Sequence, residues 1–336
     1  MRIALDAMGS DTHPKPEVEG AVMAARESAD TIILVGDEAV LKPELLKHEP
    51  SDLHVEIVHA AEVVTMNDKP TLVGKAKPNS SMHVGLGLVK AGEADAFVTA
   101  GNTGAALSIA TLNTLRRIEG VRRPALTAVF RLHDRMVIVL DVGANTDAKP
   151  QWLAQFALMG SIYANGSLGI ARPRVALLSN GEEDDKGTQL IRDAAALIRQ
   201  LPLEFVGSSE PKDFLDGYAD VLVMEGFVGN IFIKTMEAMG STISSIIRQE
   251  AYRDLRSKLG GWLLVPALSR VQKQIDPFEV GGAPLLGIDG VVIIGHGRSN
   301  AKAIKNAIGQ ARRAVDGQVI DAIRQGIART ALTDTV

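Results

Sequence analysis

The stretch Ala96–Ala110, AFVTAGNTGAALSIA, decides the fold. Apolar Ala96, Phe97 and Val98 enter a turn carrying Gly101, Asn102, Thr103 and Gly104, and an uncharged, alanine-rich helical segment follows. An aliphatic run without polar alternation reads as a strand covered on both faces. The glycines let backbone approach a ligand closely. The Asn102 amide, the Thr103 hydroxyl and the first free N–H groups of the helix then face the strand end, an arrangement that suits a phosphate.

The same order of run, turn and helix recurs along the chain. Ile3–Leu5 leads into DAMGSD, Thr31–Val35 into GDEA, Met136–Leu140 into DVGAN, Val175–Leu178 into SNGEED, Val221–Met224 into EGFVGN, and Val291–Ile294 into GHGRSN. Such alternation predicts a doubly wound, three-layer α/β/α fold with a mostly parallel sheet, here as one domain over residues 1–330. Ligands of such sheets bind at the carboxyl ends of the strands. Any single one of these turns is ordinary turn chemistry. Taken together, the five that carry Asn102, Asn145, Asn180, Asn230 and Asn300 read as one shared site.

A long helical stretch from about Asn230 to Lys258 is the odd element. Ile231, Thr235, Ala238, Met239, Thr242, Ile246 and Ile247 recur at helical spacing, a stripe fit to pack on a second copy or in the chain's own core. The expectation is a helical extension over 230–275 that serves dimerisation and membrane contact.

Composition narrows the function classes. The 336 residues are 46% hydrophobic but only 4% aromatic, so aliphatic packing fills the core. A net charge of -4 argues against nucleic acid as a partner. With no cysteine there is no disulfide, thiolate metal site or cysteine nucleophile, which fits a reducing compartment. The start MRIALDAMGSD reaches aspartate by the sixth residue and is no signal-peptide core, so the expected location is cytoplasmic.

No GxxxxGK[ST], GxGxxG or GxSxG motif occurs, which removes motif support for a nucleotide, a dinucleotide or an acyl-enzyme serine. Glu182, Glu183, Asp184 and Asp185 precede Lys186 at an expected helix start; the acids match the helix dipole, while Lys186 opposes it and is read as holding a ligand anion. Asp6, Asp11 and His13 cluster in DAMGSDTHP, more in keeping with capping than with a metal site. His296 in GHGRSN is either a general acid/base or a turn histidine. Without a protein nucleophile, bound inorganic phosphate can itself attack, given groups that orient it and stabilise the oxyanion.

Two surfaces concern partners. Arg116, Arg117, Arg122 and Arg123 bracket RRIEGVRRPA, and Lys69, Lys75 and Lys77 lie in DKPTLVGKAKPNSSM; basic patches on an acidic protein can steer an acidic partner. WLLVPAL, Trp262–Leu268, offers Trp262, Leu263, Leu264 and Leu268 between basic flanks. That describes a reversible membrane contact too short to span, or a buried dimer contact.

The segments IALDAMGSD, KPNSSM, VTAGNTGA, RRPAL, LDVGAN, LSNGEEDDKG, EGFVGN with IKTME, and GGAPLLGIDGVVIIGHGRSNAKAI, in this order, resemble the PlsX family of phosphate acyltransferases over most of the chain. Ser10 stands where that family usually has glycine, and GSSEPKD, Gly207–Asp213, departs from its usual loop pattern. The resemblance implies acyl transfer from acyl carrier protein to inorganic phosphate, giving acyl phosphate for a membrane glycerol-3-phosphate acyltransferase. It also implies a homodimer, a fold related to phosphotransacetylases and isopropylmalate dehydrogenase, and no organic cofactor. On that basis phosphate is expected at the strand ends, with Asp6, Gly101, Thr103, Gly104, Asn145, Asn180, His296 and Asn300 around it. Lys186 is expected to neutralise charge, and Asn230 and Asn102 to donate hydrogen bonds. The rival readings are a coenzyme A-dependent phosphate acetyl- or butyryltransferase, an NAD-dependent decarboxylating dehydrogenase, and a non-catalytic carrier or membrane scaffold.

Overall fold

In a computed structural model, residues 1–49, 52–132, 135–183, 185–275 and 277–330 are described. Their strands are β1 (Arg2–Asp6), β2 (Thr31–Gly36), β3 (Val55–His59), β4 (Ala96–Thr99), β5 (Ala125–Leu132), β6 (Arg135–Leu140), β7 (Arg174–Leu178), β8 (Glu204–Ser209), β9 (Val221–Val223), β10 (Ala283–Leu286) and β11 (Val291–Ile294). They form one sheet in the order β3-β2-β1-β4-β11-β10-β5-β6-β9-β7-β8. Every residue of β4, β9 and β11 is buried, which is why their sequences are apolar throughout except for Thr99.

Helices cover the sheet. Lys15–Glu27 packs on Ala301–Asp316, and Pro150–Leu168 packs on Gln189–Ile198 and Val319–Ala328. At Gly20 a Cβ would lie 2.7 Å from the Ala301 carbonyl oxygen, so only glycine allows the first of these pairs to approach so closely.

The fold is the expected mostly parallel α/β architecture, with a reversal at its centre. β3, β2, β1, β4 and β11 run parallel, as do β6, β9, β7 and β8. Between the two groups, β10 is antiparallel to both β11 and β5, and β5 is antiparallel to β6. The two parallel halves therefore run in opposite senses.

The long helix also differs from its expected form. It runs Gly226–Ala251, stops at Tyr252, and a second helix occupies Leu255–Ile275. Asp254 ends the run because its Oδ1 accepts the Ser257 amide at 2.8 Å, an N-cap that starts the second helix afresh. Trp262–Leu268 lies within this second helix.

Candidate active site

A cavity of about 440 Å³ gathers residues that follow strands of both halves. Thr103 and Gly104 come after β4, Gly143 and Ala144 after β6, Asn230, Lys234 and Glu237 after β9, and His296 after β11. Its apolar walls are Leu126, Ala128 and Phe130 of β5, Leu285 of β10, and Ile233. One side can take a charged group and the other an aliphatic one.

The loop after β6 is organised by Asp141, which is fully buried. Its Oδ1 accepts the amides of Leu126, Gly143 and Ala144 at 3.0, 3.1 and 2.9 Å, and its Oδ2 accepts the Asn145 backbone and side-chain N–H groups at 2.7 and 2.8 Å. The root of the long helix is pressed onto this loop. A Cβ on Gly229 would come within 1.9 Å of the Asp141 carbonyl oxygen, so glycine is required there, and Asn230 follows at the cavity wall.

Asp6 plays the matching part at the end of β1. It is buried, accepts the Thr99 hydroxyl at 2.8 Å, and Thr99 Oγ1 in turn accepts the Gly101 amide at 2.9 Å. Burial raises the Asp6 carboxyl above the usual carboxylate range, with hydrogen bonds from Ser81 and Thr99 opposing the shift. Asp6 and Gly101 support the loop that carries Thr103 and do not themselves line the cavity.

The asparagines divide by role, and four of the five serve local structure. Asn102 and Asn300 cap helices, their Oδ1 atoms accepting the Ala105 and Ala303 amides at 3.0 and 2.9 Å. The Asn102 Nδ2 is spent on the carbonyls of Thr65, Met66 and Asp68. Asn145 donates to Asp141 and to the Pro124 carbonyl, and Asn180 accepts the Gly187 amide at 3.0 Å. Asn230 sits in the second turn of helix Gly226–Ala251, exposed at the cavity.

Lys186 is placed differently from the sequence expectation. The helix starts at Gln189, with Thr188 as its cap and Gly187 at φ +80°, so Lys186 lies in the preceding loop instead of the first turn. It is exposed and outside the cavity lining; Asp184, in the same acidic run, lies outside the described residues.

Sequence reasoning missed Lys234 and Glu237. With Asn230 they stand at positions i, i+4 and i+7 of one helix, and this spacing was the available signal. Lys234 Nζ lies 2.9 Å from Glu237 Oε2. Opposite them, His296 Nδ1 accepts the Arg298 amide at 3.1 Å, which leaves Nε2 for any exchange with a ligand. Burial, and then the positive charges of Arg298 and Lys234, hold the imidazole below its ordinary pKa and so favour its neutral form.

Arg116, Arg117, Arg122 and Arg123 line a second cavity of about 960 Å³ together with Lys149 and Trp152. The Arg123 guanidinium carbon lies 4.9 Å from the Trp152 ring centre. Pro124 borders this space while Leu126 borders the first, so the two are separated by the start of β5. On the second long helix Trp262, Leu263 and Leu264 are 70%, 65% and 55% exposed; the side chain of Leu268 lies outside the described residues. No helix among the described residues is long and apolar enough to cross a membrane.

Comparison with known proteins bears on the family and the fold. The family model described as fatty acid synthesis protein matches residues 1–322. A phosphate acyltransferase of Geobacter sulfurreducens is 46% identical over 308 residues, covering 92% of this chain and 89% of the relative. One from Trichlorobacter lovleyi is 47% identical over 308 residues with the same coverage of 92% and 89%. The solved phosphotransacetylase of Streptococcus pyogenes shares the fold, with a TM-score of 0.61 at 18% identity over 96% of this chain and 94% of its own. The chain belongs to the fatty acid synthesis protein family, whose members here are phosphate acyltransferases.

Proposed function

We propose that this chain is an acyltransferase that moves a fatty acyl group from a carrier-bound thioester to inorganic phosphate. The observation that carries this reading is the cavity itself, where Asn230, Lys234 and His296 face aliphatic walls from β5 and β10. An oxygen of monohydrogen phosphate attacks the thioester carbonyl, the carbon–sulfur bond breaks, and the phosphate proton passes to the departing thiolate. Acyl phosphate and free thiol result, and no outside reagent is needed. Asn230 stabilises the oxyanion that forms on the way, and the neutral His296 is suited to relay the proton.

Further parts of this reading concern partners. Acyl carrier protein, an acidic donor, fits the arginine-lined cavity beside the active one. Ile231, Met239, Ile243, Ile246 and Ile247 are exposed along helix Gly226–Ala251, a face that a second copy would cover in a homodimer. Trp262, Leu263 and Leu264 serve a transient contact with the membrane, where a glycerol-3-phosphate acyltransferase takes up the product, and the protein is otherwise cytoplasmic.

The test is loss of acyl thioester with and without inorganic phosphate, offering the carrier-protein and coenzyme A thioesters in competition. Phosphate-dependent loss that favours the carrier thioester is expected. Preference for coenzyme A would move the protein to the phosphotransacetylase class, and thioester stable to phosphate would leave only a scaffold role.

A further inference from the structure

The phosphate reading leaves a charge to be balanced, and the cavity offers a particular side chain for it. Phosphate enters near neutral pH with close to two negative charges, and walls built from Leu126, Phe130 and Leu285 cannot solvate them. An amide such as Asn230 can orient an oxygen but cannot neutralise it. A cation at the cavity would balance them.

Among the described lining residues, two side chains carry a fixed positive charge, Arg131 and Lys234. Arg131 is near the end of β5 and also borders a separate cavity of about 490 Å³ beside helix Ala301–Asp316. Lys234 is one turn from Asn230 on the same helix face, a separation of roughly 5–6 Å between Cβ atoms. It also acts electrostatically on His296 across the cavity. Lys234, Asn230 and His296 therefore converge on one volume.

The ammonium is anchored yet open. Its bond to Glu237 at 2.9 Å uses one of three N–H donors, and the other two have no acceptor among the described residues. The Lys234 side chain is 61% exposed, so it packs little of the core. We infer that Lys234 is a catalytic residue that binds the attacking phosphate, its two uncommitted hydrogens meeting phosphate oxygens while Asn230 faces the thioester carbonyl. This inference rests on the acyl-to-phosphate reading and names the charge that reading requires.

The test measures thioester loss against phosphate concentration for the full chain and for Lys234→Met and Lys234→Arg. Lys234→Met keeps the length of the side chain and removes the charge. It should raise the KM for phosphate roughly 10- to 100-fold, the usual effect of losing a charged hydrogen bond, and leave the KM for acyl thioester within about twofold. Lys234→Arg should recover much of the loss. In parallel, inorganic phosphate should raise the Tm of the wild-type protein and fail to raise that of Lys234→Met at the same concentration. A wild-type KM for phosphate in Lys234→Met overturns the assignment, as does a parallel rise in both KM values. If the wild-type protein consumes no thioester in a phosphate-dependent way, the parent reading fails instead, and this assignment fails with it.

Discussion

The backbone amide of Ser10 donates to Glu17 Oε1 at 2.9 Å, which ties the turn after β1 to a carboxyl with no solvent exposure. The other oxygen, Oε2, is buried and has no hydrogen-bond partner among the described residues. Burial pushes the Glu17 carboxyl from its ordinary 4.5 up to about 7, hydrogen bonds from Ser10 pull it back, and the negative charge of Asp6 adds to the rise. Between those two values the folded chain keeps a proton that the unfolded chain releases. Stability from this group is therefore whole below about pH 4.5 and is lost as the pH climbs through 7, a change of roughly 3 kcal/mol. Glu17→Gln should flatten this slope, so urea unfolding from pH 5 to 8 should show wild-type stability falling more steeply than the variant's. Parallel curves for the two proteins would refute it.

Gly229→Ala places a methyl group 1.9 Å from the Asp141 carbonyl oxygen, and neither backbone can yield without moving the cavity wall. A loss of roughly 3 kcal/mol or more is expected, together with the loss of turnover. Gly260 lies in the second long helix with open space around its Cβ, and Gly260→Ala should stabilise by up to about 1 kcal/mol through helix propensity. Thermal melts of the two variants should move in opposite directions.

The Asn230 side chain makes no hydrogen bond among the described residues and is exposed at the cavity, so its removal should spare the fold. Asn230→Ala is expected to cut kcat by roughly 10²- to 10³-fold, as for other lost oxyanion donors, with Tm within about 1 °C. Near-normal turnover in this variant would remove Asn230 from the chemistry.

Reversal of Arg122 and Arg123 to glutamate should raise the KM for acyl carrier protein about tenfold or more and leave that for a coenzyme A thioester nearly unchanged. The arginine cavity adjoins the active one without sharing it, so a docking defect should be selective. An equal effect on both donors would instead indicate damage to β5.

Leu263→Glu with Leu264→Glu should abolish sedimentation with anionic phospholipid vesicles and leave turnover in solution within about twofold. Both side chains are more than half exposed on a helix none of whose described residues lines the cavity, so the effects are separable. Vesicle binding that survives the change would assign this face to a protein contact.

The seven runs read from the sequence all became strands: β1, β2, β4, β6, β7, β9 and β11. They carry the pattern because each is buried on both faces and leads into a glycine- or asparagine-bearing turn. The four strands the pattern missed have physical reasons to be quiet. β3 and β8 are the outermost strands and only partly buried, so polar residues such as Glu56 and Ser208 interrupt them. β5 alternates buried and half-buried positions, as an antiparallel strand does, and β10 contains Pro284. Of the eleven residues expected around the phosphate, four line the candidate cavity. Thr103, Gly104, Asn230 and His296 line the cavity, whereas Asn102, Asn145, Asn180 and Asn300 spend their amides on neighbouring backbone or on Asp141. Local sequence cannot tell a capping asparagine from a free one, since both favour turns. Lys234 and Glu237 went unread because they sit inside a helix, away from any turn motif.

Helix Gly226–Ala251 works as a ruler. Its first turns place Asn230 and Lys234 at the cavity, and its last residue stands 21 positions beyond Asn230, about 30 Å away along the axis. Whatever seizes the distal helix keeps the reaction at that standoff. On the proposed reading, an acyl phosphate made at the cavity crosses about that distance to a lipid surface at Trp262, and the close backbone approach of Gly229 to Asp141 fixes where the helix begins.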